Sequence, residues 1–275
     1  MREEPREERA PVRSGLILIL AACAAAGACS RTAPARGPAD QARAQLAAYL
    51  APPAVTAADR QGSSVRLRGT ASPGAAVRLA SPDGSALTGT ADRKGDWRLA
   101  APAGNAPRLY SLSELLGGRL VRAVGYVAVL PAPGPAAAML RPAASASVPA
   151  SARSARGVTS IDYDASGQAM VAGQAWPRET VRLSVDGREA GEDRADAVGG
   201  FSASLSRTLS PGPHVLGVTG PRLRANAAFE AVRPAQIASP PYDAQRTVSA
   251  WRIDWVTPGG GVQSTVLLDP RGGRQ

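Results

Sequence analysis

Few side chains in this sequence are of the kind that break bonds. His214 is the only histidine, Lys94 the only lysine, and Cys23 and Cys29 the only cysteines among 275 residues. A Ser-His-Asp arrangement would have to use His214, which closes the turn Ser210, Pro211, Gly212, Pro213 and leads into a strand. Such triads rest on geometry that no spacing here encodes, and an exposed strand-edge histidine is the plainer reading. Lys94 lies in the turn Asp92, Arg93, Lys94, Gly95 and reads as an exposed turn lysine rather than half of a Ser/Lys dyad. No His/Cys cluster with zinc or copper spacing occurs. No Gly-x-Ser-x-Gly elbow and no phosphate-cradling glycine loop occurs either. Glu192, Asp193 and Asp196 crowd near a turn but lack the spacing of a calcium loop, so a solvated turn is expected there. The sequence therefore predicts no catalytic residue, no metal and no cofactor.

What remains is binding chemistry. The net charge is +10, carried almost entirely by arginine. Arg66, Arg68, Arg78 and Arg98 alternate with apolar residues along extended segments, so they are expected to point outward together and form one basic face. Such a face would attract anionic partners through its field, an effect that salt weakens. In an exported chain those partners are lipid phosphates, peptidoglycan carboxylates or acidic polysaccharide. Nucleic acid is not expected, because no aromatic residues interleave for base stacking. The alternative is that arginine merely solubilises the surface. Trp251, Ile253 and Trp255 alternate with Arg252 and Asp254, ahead of Gly259, Gly260 and Gly261 and a returning segment from Val262 to Leu268. Trp251 and Trp255 are candidates for an aromatic platform that takes a sugar ring or a partner surface. Core packing is the other reading.

The elements that must position these groups follow from composition and pattern. Apolar residues make up 44% of the chain and aromatics only 4%, with 29 Gly and 24 Pro. Long helices are disfavoured, and short strands around a core of Val, Leu and Ala are expected. From Val65 the sequence alternates: Val65 and Leu67 against Arg66 and Arg68, Val77 and Leu79 about Arg78, Trp97 and Leu99 against Asp96 and Arg98. Asp83 and Gly84 mark a hairpin turn. The pattern recurs 104 residues later. Gly69, Ala71 and Pro73 return as Gly173, Ala175 and Pro177; Val77, Arg78 and Leu79 as Val181, Arg182 and Leu183; Asp92, Gly95 and Trp97 as Asp196, Gly199 and Phe201. Strands with one apolar face must close over a second sheet, so each copy reads as a β-sandwich. The C-terminal hairpin then completes or extends the second one.

The run Gly69, Ala71, Pro73, Gly74, Val77, then Asp83 and Gly84, then Asp92, Gly95 and Trp97 resembles the bacterial immunoglobulin-like domain family. The copy from Gly173 departs from it at Arg178 and Phe201. The resemblance implies an all-β chain of two tandem immunoglobulin-like β-sandwiches with a role in spacing or binding.

The N-terminus suggests where such a chain works. The run Leu16, Ile17, Leu18, Ile19, Leu20 is shorter than the ~20 residues a membrane span needs and fits the core of an export signal. Leu20, Ala21, Ala22 before Cys23 resembles the bacterial lipoprotein box, and Ala26, Gly27, Ala28 before Cys29 is a weaker version. In that family the cysteine is acylated and becomes the mature N-terminus. Neither following residue, Ala24 or Ser30, is the Asp that retains such proteins at the inner membrane, so the resemblance implies the outer membrane of the cell envelope, facing the periplasm. The expected organisation is a signal over 1–29, a tether with a short helix over 30–57, a first sandwich over 58–130, a Pro/Ala-rich linker over 131–157, and a second sandwich with its hairpin over 158–270. The function expected is a non-catalytic envelope lipoprotein that binds or scaffolds an envelope protein, or alternatively binds an anionic glycan.

Overall fold

The computed structural model describes residues 50–149, 156–247 and 250–268. Cys23, Cys29, the apolar run before them and the short helix expected from Asp40 to about Leu50, all but its last residue, lie outside the described residues. Every regular element among those described is a β-strand, and every pairing is antiparallel.

The first sandwich is built from β1 (Ala54–Gln61), β2 (Ser64–Thr70), β3 (Ala76–Ala80), β4 (Ala86–Thr90), β5 (Asp96–Pro102), β6 (Arg108–Leu116), β7 (Arg119–Arg122), β8 (Tyr126–Val129) and β9 (Ala137–Leu140). One sheet has the order β1-β2-β5; the other has β4-β3-β6-β8-β9, with β7 pairing the far half of β6. The alternation seen in sequence is what closes them. Val65 and Leu67 of β2 face Val77 and Leu79 of β3, with Trp97, Tyr110 and Leu112 filling the space between.

The second sandwich comprises β10 (Gly157–Asp164), β11 (Ala169–Gln174), β12 (Thr180–Val185), β13 (Arg188–Arg194), β14 (Gly200–Ser204), β15 (Gly212–Thr219), β16 (Arg224–Ala231), β17 (Tyr242–Arg246), β18 (Ala250–Val256) and β19 (Val262–Leu268). Its sheets run β14-β11-β10-β19-β18-β17 and β13-β12-β15-β16. Val171, Val181, Leu183, Phe201, Leu216 and Val218 share its core. The chain is thus all-β, with two immunoglobulin-like sandwiches in tandem.

One contact explains why the glycine and the aromatic recur together. Gly69 pairs with Trp97 across β2 and β5, and Gly173 pairs with Phe201 across β11 and β14. In each case the ring occupies the space that a Cβ on the glycine would need. A Cβ on Gly69 would stand 2.3 Å from the Trp97 ring, and one on Gly173 would stand 2.3 Å from the Phe201 ring. The later glycine of each copy turns the chain with positive φ, +86° at Gly95 and +90° at Gly199. A side chain there would also strike the carbonyl oxygen of Ala71 or Ala175.

The segment 131–157 is not a free linker. Ala137 to Leu140 form β9, and Ala146 is fully buried. β1 likewise begins at Ala54, inside the span expected as tether. Pro and Ala content misled because β9 has no polar face. Ala137 and Met139 enter the first core, while Ala138 and Leu140 enter a third one. That third core joins the sandwiches. Leu109, Ala128, Leu130, Ala138 and Leu140 from the first meet Ile253, Trp255 and Leu267 from the second.

A polar clasp lies beside it. Asp162 of β10 accepts the amide of Ala146 at 2.7 Å and the hydroxyl of Thr265. Ser160 donates to the Ala146 carbonyl at 2.9 Å. Gln263 donates to the Arg141 carbonyl and accepts from the Ala143 amide, both at 3.1 Å. On the first sandwich, the Arg60 guanidinium donates to the carbonyls of Leu130, Pro131, Gly134 and Pro135 at 2.8–3.0 Å, fixing the loop that delivers β9.

Gly69→Ala and Gly173→Ala are each expected to lower unfolding free energy by about 3 kcal/mol, because the new Cβ strikes both the aromatic ring and the neighbouring strand's carbonyl, Ala54 or Gly157, and these must move apart; urea titration of each variant measures this. Trp255→Ala is expected to cost about 3–5 kcal/mol. It should also split one cooperative unfolding transition into two, visible by calorimetry, as the joint stops coupling the sandwiches.

Candidate functional site

The arginines fall on two surfaces. Arg66 and Arg68 of β2 and Arg98 of β5 are exposed on the outer face of the three-stranded sheet. Arg68 stands directly opposite Arg98, and Arg66 directly opposite Asp59 of β1. Like charges opposite one another across a pair of strands repel. Asp59 relieves this in part by pairing with Arg68 at 2.6 Å. Among the described residues neither Arg66 nor Arg98 has a carboxylate partner. Arg78 does not join them. It lies on β3, in the other sheet, and faces the opposite side of the sandwich. Alternation distinguishes outward from inward, but a sandwich has two outward faces, and the expected four-arginine face becomes a face of three.

The tryptophans are interior. Trp255 is 0% exposed, its indole donates to Thr265 Oγ1 at 3.1 Å, and Tyr126 meets it edge-on at 5.8 Å. Trp251 is 7% exposed, with the Arg246 guanidinium 5.4 Å from its ring centre. Neither ring offers a platform to a ligand; both are packing residues. The intervening Arg252 and Asp254 are buried too, joined as an ion pair that Ser264 completes by donating to Asp254. Trp176, which the sequence pattern did not single out, is half-buried and lies between Arg156 and Arg222, their guanidiniums 3.4 and 4.7 Å from its centroid.

Sequence reasoning also missed a buried carboxylate in each sandwich. Glu114 of β6 accepts the amide and hydroxyl of Ser72 at 2.8 and 2.6 Å. Glu179 accepts the amides of Trp176 and Arg222 at 3.1 and 2.6 Å. Both satisfy the turn after the Gly-x-Ala segment, yet they come from non-equivalent positions, so the repeat could not reveal them.

His214 and Asp186 do meet. Nδ1 lies 2.7 Å from Asp186 Oδ2, and Nε2 lies 2.8 Å from the Ser210 carbonyl oxygen. Both partners are acceptors, so the two contacts are satisfied together only when both nitrogens donate, which favours the imidazolium form. A general base would need Nε2 free to accept from a hydroxyl, and here it faces a carbonyl. Burial pulls the His214 pKa down, but the Ser210 carbonyl and the Asp186 carboxylate together carry it above its usual value. Asp186 is held below the ordinary carboxylate range by the Val215 amide and by His214.

The other acids are spent locally. Glu192 pairs with Arg182, Asp193 accepts the Ser202 amide, and Asp196 accepts the Val198 and Gly200 amides. Among the described residues no three such groups converge to hold a metal. Lys94 is exposed in its turn.

Charge is unevenly divided. Residues 50–149 carry eleven basic and five acidic side chains, whereas 156–247 and 250–268 together carry eleven of each. The described positive charge therefore belongs to the first sandwich.

No protein-family model and no curated protein matches the chain. Among solved structures, the central fibronectin-III array of RIM-binding protein is similar at 12% identity, over 78% of this chain and 88% of that one, with a TM-score of 0.24. An adhesin with which an Antarctic bacterium binds ice matches at 14% identity, over 76% of this chain and 61% of that one, with a TM-score of 0.19. The E. coli alpha-2-macroglobulin matches at 14% identity, over 81% and 21%, with a TM-score of 0.21. At these scores the fold rests on strand pairing alone.

Two groups make stability depend on pH with the same sign. Burial pushes the Asp162 carboxyl up to about 6, against the hydrogen bonds from Thr265, Ala146, Gln263 and Ser160. The folded state therefore holds this proton more tightly than the unfolded chain, and stability falls as pH rises from about 4 to about 6, on the order of 3 kcal/mol in all. The stability from His214 is complete below about pH 6.5 and is lost as pH rises through its raised folded value. Asp186 acts in the opposite direction only below about pH 4. Denaturation midpoints are expected to fall from mildly acid to alkaline pH, with Asp162→Asn flattening the lower step and His214→Gln the upper one.

Proposed function

We propose that the chain is a non-catalytic module of the cell envelope, tethered through acylated Cys23 or Cys29, that binds or scaffolds a partner with two sandwiches acting as one body. The observation that carries this reading is the third core. Around Trp255 and Leu140, part of one sheet face from each sandwich is committed to holding the two in a fixed relation. A spacer or scaffold needs that rigidity, whereas two beads on a flexible strand would transmit neither distance nor direction.

A second reading is favoured by one feature. Arg66, Arg68 and Arg98 form a compact basic patch in which, among the described residues, two guanidiniums have no carboxylate partner. Such a patch suits an anionic envelope glycan, whose carboxylates would relieve the repulsion between Arg68 and Arg98.

Pelleting of the full chain with isolated cell wall at low and high salt tests both. Salt-sensitive pelleting that drops at least tenfold in Arg66→Gln/Arg98→Gln supports glycan binding. Absence of pelleting, with the protein recovered in the outer-membrane fraction, supports a scaffold for an envelope protein. Recovery of the native protein in the cytosol overturns both.

A further inference from the structure

The outer face of β6 is apolar at both ends and covered at only one. At the Leu109 end the second sandwich closes over it through the third core. Six residues along, ~20 Å away at strand spacing, Leu115 is 48% exposed. Leu120 of β7 stands directly opposite it and is 56% exposed, and Val124, just past β7, is 60% exposed. Arg78 and Arg122 lie in the next row, one on each side of Ser113. Arg119 stands at the tip formed by Gly117 and Gly118.

The strand register places more charge at this end. Ala76 pairs with Leu115 and Thr90 with Ala76, so the turn carrying Arg93 and Lys94 is at the same end. The acids there are compromised as counter-ions. Glu114 is buried on Ser72, and Asp92 is held by the Lys94 and Asp96 amides; among the described residues at this end, Asp96 alone keeps an exposed carboxylate with no such partner. β1 also starts here, because Ala54 pairs with Thr70 and Thr70 with Asp96. β1 therefore begins at the basic, leucine-bearing end of the sandwich.

A glycan would match these arginines and leave the leucines in water. A surface that is anionic on top and apolar beneath matches both. We propose that this end of the first sandwich docks on an anionic lipid bilayer, with Leu115, Leu120 and Val124 at the headgroup boundary and Arg78, Arg93, Lys94, Arg119 and Arg122 on the phosphates. The contact does not depend on acylation and is separate from the Arg66–Arg98 patch, which lies on the other sheet.

The test is flotation of the full chain carrying Cys23→Ala and Cys29→Ala with vesicles of phosphatidylcholine, with or without phosphatidylglycerol. The N-terminal apolar run contributes equally to every variant, so differences report the sandwich. Arg78→Gln/Arg122→Gln is expected to weaken binding to the anionic vesicles about 25-fold, fivefold per arginine. Leu115→Ser/Leu120→Ser is expected to lose binding as well, and Arg66→Gln/Arg98→Gln to retain it. All six sites are on exposed or partly exposed outer faces, and a circular dichroism melt confirms that each variant is folded. Equal flotation of the hairpin variants and their parent overturns the proposal. So does an equal loss in Arg66→Gln/Arg98→Gln, which would mean net charge alone. Loss of cell-wall pelleting with vesicle binding intact would assign the surface to a glycan and overturn it too.

Discussion

Everything in this molecule hangs on the mutual burial of two sheet faces that neither sandwich can cover by itself. β9 sends Ala137 and Met139 into one core and Ala138 and Leu140 into another. Leaving the second set in water would forgo roughly 1.5–3 kcal/mol for a residue the size of Leu140. The second sandwich presents Ile253, Trp255 and Leu267 on the outside of its own sheet, with the same difficulty. Each face is the other's cover. This gives β17, β18 and β19 a purpose after the repeated unit has ended with β16. They widen the sheet on the β10 side, where among the described residues no strand pairs with the equivalent edge of β1.

Apolar contact alone does not set the relation of the two bodies, because alanine and leucine surfaces slide at little cost. Direction comes from the polar clasp. Asp162, Gln263 and Ser160 hold the backbone of residues 141–146 at defined atoms. A fully buried carboxylate is a costly way to do this, and the raised pKa of Asp162 is the measure of that cost. A shift of the segment by one residue would take the Ala146 amide from that buried charge and leave it the donors of β19, so the clasp penalises the wrong register.

The strands with one polar face were legible from alternation, and the repeat located both sandwiches through Gly69 with Trp97 and Gly173 with Phe201. That signal is strong because it is steric: a ring over a glycine leaves no freedom in either residue. β9 was not legible, since Ala137, Ala138, Met139 and Leu140 are buried on both faces and show no period. Trp251 and Trp255 alternate with Arg252 and Asp254 as a half-exposed strand would, yet all four are buried, because the ion pair lets the polar phase be covered as well. The separation of Arg78 from Arg66, Arg68 and Arg98 required knowing which sheet holds β3, and a period of two does not carry that information. The pairing of His214 with Asp186 spans 28 residues and depends on β15 returning beside the turn between β12 and β13, a fact of topology.

The joint and the charge distribution act together. All the excess positive charge of the described residues sits on the first sandwich, and the joint sits at the Leu109 end of β6, away from the cluster around Arg119 and Lys94. An anionic surface acts on those charges only within about 10 Å at moderate salt. Between flexibly linked bodies that short-range attraction would orient one sandwich and leave the other to wander. With the third core in place, a torque on the first sandwich would be a torque on both, and a surface acting on the first would direct the neutral second one as well. What the buried joint adds is direction more than affinity.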